Sequence, residues 1–291
     1  MKRLFLLFAF VIVLLLAYLY IFIPTKVRAS NEVLLNIPEA AARNLLVYDS
    51  GIARWWPGVK PSVDTLNSRF HFSGTDYDLV KRAFNSASIT MRSSTMSKES
   101  RIDFNATGEN TTAIKWRFYG ELPLNPLRRY QEFRLMKSFE VQNTILLNHL
   151  KKFAEEEQNI YGIRISYGKI TDSVVATIRK VSPTYPSTAE VYSMVEKLER
   201  YNKSHAIEKP GHPMLNVTQS AKGEFHVMVG LPARKSLTDD SEVMFRRMVL
   251  GNILVTEVRG GVKTVQNALQ QMERYIKDRS LTSPAVPFQE L

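Results

Sequence analysis

No cysteine occurs anywhere in the 291 residues. That excludes thiol nucleophiles, Cys-ligated zinc, iron–sulfur clusters, disulfides and acylation at a cysteine, and leaves any chemistry to oxygen and nitrogen groups. Glycine and proline, at 13 each, are too few for collagen or low-complexity sequence, and a 44% hydrophobic content excludes a disordered chain. Catalytic signatures are missing as well. There is no HExxH, GxSxG, GxGxxG or GxxxxGK[ST], and His71, His149, His205, His212 and His226 include no i, i+4 pair. No metal ligand, cofactor or catalytic residue is therefore assigned. Asp239-Asp240-Ser241-Glu242 reads as an acidic turn, not a calcium loop.

Lys and Arg exceed Asp and Glu by 39 to 28, giving a net charge of +11. The excess is spread along the chain with no basic run and no recognition helix, so nucleic acid is not an expected partner. A solvated surface, with mild attraction to anionic lipid headgroups, is the reading of that charge. Leu4 to Ile23 carries no charged residue and is long enough to cross a bilayer once as a helix. Residues 1–25 are thus expected to form an uncleaved, single-pass transmembrane anchor, with the membrane as a partner. Lys2 and Arg3 face Lys26 and Arg28 across it, so the positive-inside rule only leans towards an N-terminus inside. The soluble part is then expected outside the cytoplasm.

The remaining length suggests two domains, with a seam at Glu155-Glu156-Glu157. Before it, Val141, Ile145, Leu146, Leu150 and Phe153 recur at helical spacing; after it, Tyr161 to Val181 reads as strand. The first domain, residues 26–157, opens with a strand over Val27–Ile37 and a helix over Glu39–Val47. From Ser68 to Gly120 it continues as short alternations separated by turns, an antiparallel meander closed by the amphipathic helix. With NIPEAAARNLLVYDSGIARWWPG at 36–58, this order resembles the SRPBCC or START-like (polyketide cyclase-like) superfamily. The resemblance implies a helix-grip fold that holds hydrophobic ligands between helix and sheet. Trp55 and Trp56 read as packing anchors.

Residues 158–291 contain an internal repeat. At an offset of 74, Val191 matches Val265, Glu199 matches Glu273, Arg200 matches Arg274, Tyr201 matches Tyr275, Lys203 matches Lys277, Pro210 matches Pro284 and Pro213 matches Pro287. Each half reads strand, helix, strand: 174–181, 188–205 and 214–217, then 252–258, 262–280 and 288 onward. Strands over 225–231 and 243–249 connect them. FHVMVGLPARK, MFRRMVLGNILVTEVRGG, VKTVQNALQQMERYIKDRSL and PAVPFQEL resemble, in order, the GyrI-like (AraC-type effector-binding) small-molecule domain. The whole is expected to be α+β, with a transmembrane helix, a helix-grip domain and a duplicated GyrI-like domain of pseudo-twofold symmetry around a cleft. The resemblance places a cleft glutamate at Glu290, and the repeat sets Asn216 at the equivalent position. Tyr192 and Phe288 complete the candidate ligand-binding set.

Together these readings imply a bacterial, single-pass inner-membrane protein whose periplasmic or extracellular domains bind small amphipathic or cationic molecules. Oligomeric state is left open. The alternative implied by the second resemblance is a hydrolase of small electrophilic compounds that uses the cleft glutamate.

Overall fold

A computed structural model describes residues 2–59, 69–170, 174–207, 211–234, 236–237, 239–240 and 242–291. The chain divides into two compact units, Met1–Gly162 and Ile163–Leu291.

The first unit begins with helix α1 (Lys2–Phe22) and strand β1 (Lys26–Leu35). Helices α2 (Glu39–Leu46) and α3 (Asp49–Trp55) follow, then β2 (Arg69–Phe72), β3 (Thr75–Arg82), β4 (Ser86–Arg92), β5 (Ser97–Gly108) and β6 (Thr111–Glu121). The long helix α4 (Pro126–Ala154) and short α5 (Glu157–Tyr161) close it. The strands form one antiparallel sheet in the order β1-β6-β5-β4-β3-β2. Asn125 caps α4: its Oδ1 accepts from the amides of Leu127 (3.1 Å) and Arg128 (3.2 Å), and Pro126 occupies the first turn, where a missing N–H costs nothing.

The expected amphipathic helix is present, but its buried face differs from the one read in the sequence. Val141 and Ile145 are exposed, while Met136, Phe139, Asn143, Leu146, Leu147 and Leu150 are buried. Asn143 interrupts the apolar periodicity, which made the neighbouring stripe look stronger. Trp55 and Trp56 are both buried; their indole N–H groups donate to the carbonyls of Leu45 (2.8 Å) and His71 (3.1 Å). Trp56 also packs on Phe70 and Tyr77, with centroids 5.2 and 5.1 Å away.

The transmembrane anchor is corrected. Among the described residues no helix is long and apolar enough to cross a membrane. The apolar run is also not independent of the rest of the first unit. Arg129, buried in α4, donates to the carbonyls of Ile23 and Pro24 and lies over the ring of Tyr20 at 5.2 Å. A count of uncharged residues does not see that the last turn of α1 is tied to α4. The single-pass inner-membrane placement and its orientation fall with the anchor.

The second unit contains β7 (Ser166–Ile170), β8 (Val174–Ser182), α6 (Thr188–Ser204), β9 (Met214–Gln219), β10 (Phe225–Ala233), β11 (Met244–Arg247), β12 (Gly251–Val255), α7 (Val262–Asp278) and β13 (Gln289–Glu290). One sheet has the order β11-β8-β10-β9-β13 and another pairs β12 with β7. The stretch read as strand from 161 to 181 is thus two strands, and residues 171–173 lie outside the described residues, as does Pro210.

The repeat offset relates the two helices residue for residue, since α6 and α7 each span 17 residues and begin 74 apart. Their ends match too. Ala206 and Ser280 both take the left-handed conformation (φ 51° and 53°). The amide of Ile207 then reaches the carbonyl of Asn202, and that of Leu281 the carbonyl of Ile276, both at 2.9 Å. This is a Schellman closure made twice, without glycine. Packing is unequal, however. Val191, Val195 and Leu198 are buried against β8, β9 and β10, whereas their counterparts Val265, Leu269 and Met272 are half-buried.

Candidate ligand-binding face

Alternation along β9 sends its residues to opposite sides of the five-stranded sheet. Leu215 faces the core under α6, with Val227, Val229, Val195 and Leu198. Met214 and Asn216 face the other way. Directly opposed residues share a face, so the register defines two rows across the sheet. One runs Met244, Thr177, Gly230, Met214 and Glu290. The other runs Arg179, Met228, Asn216 and, continuing the β9–β13 pairing by one residue, Phe288.

The result is a shallow apolar trough. Gly230 supplies a floor without a side chain; a Cβ there would lie 2.6 Å from Val175 Cγ1. Met214, Met228, Met244 and Phe288 are half-buried around it. Thioethers on such a surface adapt to ligands of varied shape. Charge enters through Glu290 on β13, Arg179 on β8 and Arg246 on β11, all exposed, and Arg246 Nη2 lies 3.1 Å from Met244 Sδ. Among the described residues no cation pairs with the Glu290 carboxylate.

Three of the four residues singled out in the sequence therefore meet on one face: Glu290, Asn216 and Phe288. The Asn216 side-chain amide is already engaged, donating to the carbonyl of Pro287 at 2.7 Å, so it ties β13 to β9. Its repeat counterpart Glu290 has no N–H to make the same tie. There the backbone acts instead, the amide of Leu291 donating to the carbonyl of Pro213 at 3.0 Å. Tyr192 stands apart, half-exposed at 51% on α6, the helix that covers the opposite face. Glu290 is exposed and not enclosed in a dry cleft, so its carboxylate is ready for a cation but gains little from a low dielectric. Met214, Met228, Met244, Gly230 and Arg179 were not singled out, because only the strand register places them beside Asn216.

The first unit offers a different environment. Trp116, Phe104, Ile114, Phe139 and Leu146 fill the space between sheet and helix. The Tyr77 hydroxyl donates to Gln142 Oε1 at 2.8 Å, and Gln142 Nε2 donates to Ser138 Oγ and the Ser73 carbonyl. Burial pushes the Tyr77 hydroxyl well above its ordinary pKa, so it stays a neutral donor. Asn143, fully buried beside this network, has no partner for either side-chain atom among the described residues. An open, largely apolar crevice of about 400 Å³ between α1 and α4 is lined by Val13, Ala17, Tyr20, Ile21 and Pro126, of which Tyr20 alone has a polar side-chain group. Among the described residues no cluster of three His, Asp or Glu could hold a metal.

No family model matches the chain, and no curated protein matches it. Similar solved structures include the Aha1 dimer from Colwellia psychrerythraea, 16% identical over 44% of this chain and 96% of that one, with a TM-score of 0.34. A START superfamily protein from Mycobacterium smegmatis is 13% identical over 40% of this chain and 95% of that one, at 0.27. DynU16, from the dynemicin biosynthetic locus, is 10% identical over 70% and 86%, at 0.34. Scores this low transfer no function; the helix-grip arrangement of the first unit rests on its own sheet register and on the packing of α4.

Proposed function

We propose that the chain is a non-enzymatic binding protein for small amphipathic molecules, cations above all, held on the β8–β10–β9–β13 face. The observation that carries this reading is the trough itself: three methionines and a phenylalanine around a glycine floor, with a carboxylate at the rim that no cation among the described residues meets. An aromatic or alkyl body would cover the thioethers while its positive group meets Glu290. Burying apolar area contributes roughly 25 cal/mol per Å², so the body supplies most of the affinity and the exposed carboxylate sets a preference of charge. Asn216 supports the reading by fixing β13, and with it Glu290, against β9.

Titration of the full chain with benzyltriethylammonium, followed by thermal unfolding, tests this. Stabilisation should rise with ligand concentration by mass action, should fall for a neutral isostere, and should be reduced in Glu290→Gln. Equal stabilisation by cation and isostere removes the role of the carboxylate.

A second reading is favoured by Asn143. Its two unpartnered atoms lie in an apolar interior, where an unmade hydrogen bond costs about 1–3 kcal/mol. A small amphiphile admitted between α4 and the sheet would find its polar contact there. A hydrophobic amide that stabilises the parent but not Asn143→Leu supports this; equal stabilisation of both sinks it.

A further inference from the structure

Outward from the β9–β13 pairing, the elements of the second unit match at the 74-residue offset with one exception. Leu215 of β9 opposes its counterpart Gln289 of β13, and α6 corresponds to α7. Farther out, Met244 of β11 opposes Thr177 of β8, and their counterparts Ile170 of β7 and Gly251 of β12 oppose each other in the same way. On one side the strands run β9, β10, β8, β11. On the other they run β13, then β12 and β7, with no strand joining β13 to β12 among the described residues. The unmatched strand is β10.

Three observations mark the place it leaves. The amide of Leu291 donates to the carbonyl of Pro213 at 3.0 Å, and bonded and non-bonded pairs alternate along antiparallel strands. The backbone N–H and C=O of Glu290 therefore point away from β9, to the free edge of β13. Helix α6 packs chiefly on β10, whose Val227, Val229 and Leu231 are buried with it, whereas Val265, Leu269 and Met272 on the equivalent face of α7 are half-buried. The Glu290 side chain, at the same edge, meets no cation among the described residues.

We infer that an extended segment of a partner protein occupies the place equivalent to β10, pairing with β13 on one side and β12 on the other and joining the two sheets. The register follows from β10 itself. Val229 stands between Ile178 and Leu215, so its equivalent in the partner stands between Asn252 and Gln289 and faces α7. Val227 stands between Lys180 and Val217, so its equivalent stands between Leu254 and Leu291, also facing α7. Met228, between Arg179 and Asn216 on the trough face, corresponds to a partner residue between Ile253 and Glu290. The partner's chemistry is thereby specified: apolar residues at alternate positions, with a lysine or arginine between them opposite Glu290. Opposite charges directly across a strand pair attract, and in strand addition the main chain supplies affinity while alternate side chains supply specificity. None of this depends on the small-molecule binding proposed above.

The test uses an acetylated and amidated peptide of the β10 sequence, Phe225–Ala233, in two forms, one carrying Met228→Lys and the other Met228→Glu. Each is titrated into the full chain, isotope-labelled for NMR, and amide hydrogen exchange is followed. The lysine peptide should slow exchange at Glu290 and at alternate residues of β12 together, and should bind severalfold more tightly than the glutamate peptide; Glu290→Lys should reverse that preference. No slowing at Glu290 across either titration overturns the inference, as does equal affinity for the two peptides. Slowing at Glu290 with β12 unchanged also overturns it, because the peptide would then extend β13 without reaching the second sheet. Slowing at Glu290 in the peptide-free chain that grows with protein concentration would give the place to a second copy and remove the partner. Benzyltriethylammonium has no backbone to pair, so its failure to bind leaves this readout unchanged.

Discussion

Leu215 and Gln289, 74 residues apart in sequence and identical in repeat position, stand directly opposite each other across β9 and β13. Two strands that match at the 74-residue offset thus meet edge to edge, and the same pairing brings Glu290 beside Met214. Leu215 is buried under α6 while Gln289 is half-buried.

In the first unit, the approach of α2 to α3 sets a sharp steric limit. A Cβ on Gly51 would overlap the carbonyl oxygen of Asn44, a backbone atom that cannot swing aside. Gly51→Ala should therefore lower stability by about 1–3 kcal/mol, the usual cost of overpacking, despite the better helix propensity of alanine. Urea unfolding measures it; an unchanged or higher midpoint would show that the two helices separate freely.

Much of this organisation was legible in the sequence, and the failures have physical causes. Alternation and turn residues gave the meander of the first unit, since each strand has one buried and one exposed face. The repeat gave the first residues of α6 and α7 and placed their ends one and two residues too late, because the start of a helix has a local cap signal and its last turn does not. Register is not local: nothing near Asn216 announces that Met228 lies beside it on one side and Phe288 on the other, and the methionines of the trough went unnoticed for that reason. Tyr192 lies on α6, and nothing in the sequence says which side of the sheet that helix covers. The uncharged run from Leu4 to Ile23 was read by composition alone, which is blind to the grip of Arg129 on its last turn.

Asn143 provides a stability test. Replacing a fully buried, unpartnered amide by a hydrocarbon of similar size removes a desolvation cost without breaking a bond. Asn143→Leu should raise the stability of the ligand-free chain by about 1–2 kcal/mol, read as a higher Tm. A lower Tm would mean that water or another group satisfies the amide.

Glu190 carries the clearest acid response. Lys180, at 2.9 Å, and the Ser187 amide and hydroxyl of the α6 capping box hold its carboxyl down to about 2. With the folded value below the unfolded one, its contribution is fully present above the ordinary carboxylate range and is lost as pH falls towards about 2. Carboxyl-resolved NMR titration should show Glu190 protonating last among the surface glutamates, and Glu190→Gln should flatten the acid limb of the stability profile. A Glu190 midpoint in the ordinary range would remove the capping box as its cause.

The location of the binding face is tested most directly by NMR of the chain labelled at its methionine methyl groups, titrated with benzyltriethylammonium. Met214 and Met228 should shift together and saturably, while Met91 and Met136, buried in the first unit, stay in place. Shifts at Met91 and Met136 with Met214 and Met228 unmoved would contradict the assignment and transfer the site to the helix-grip interior.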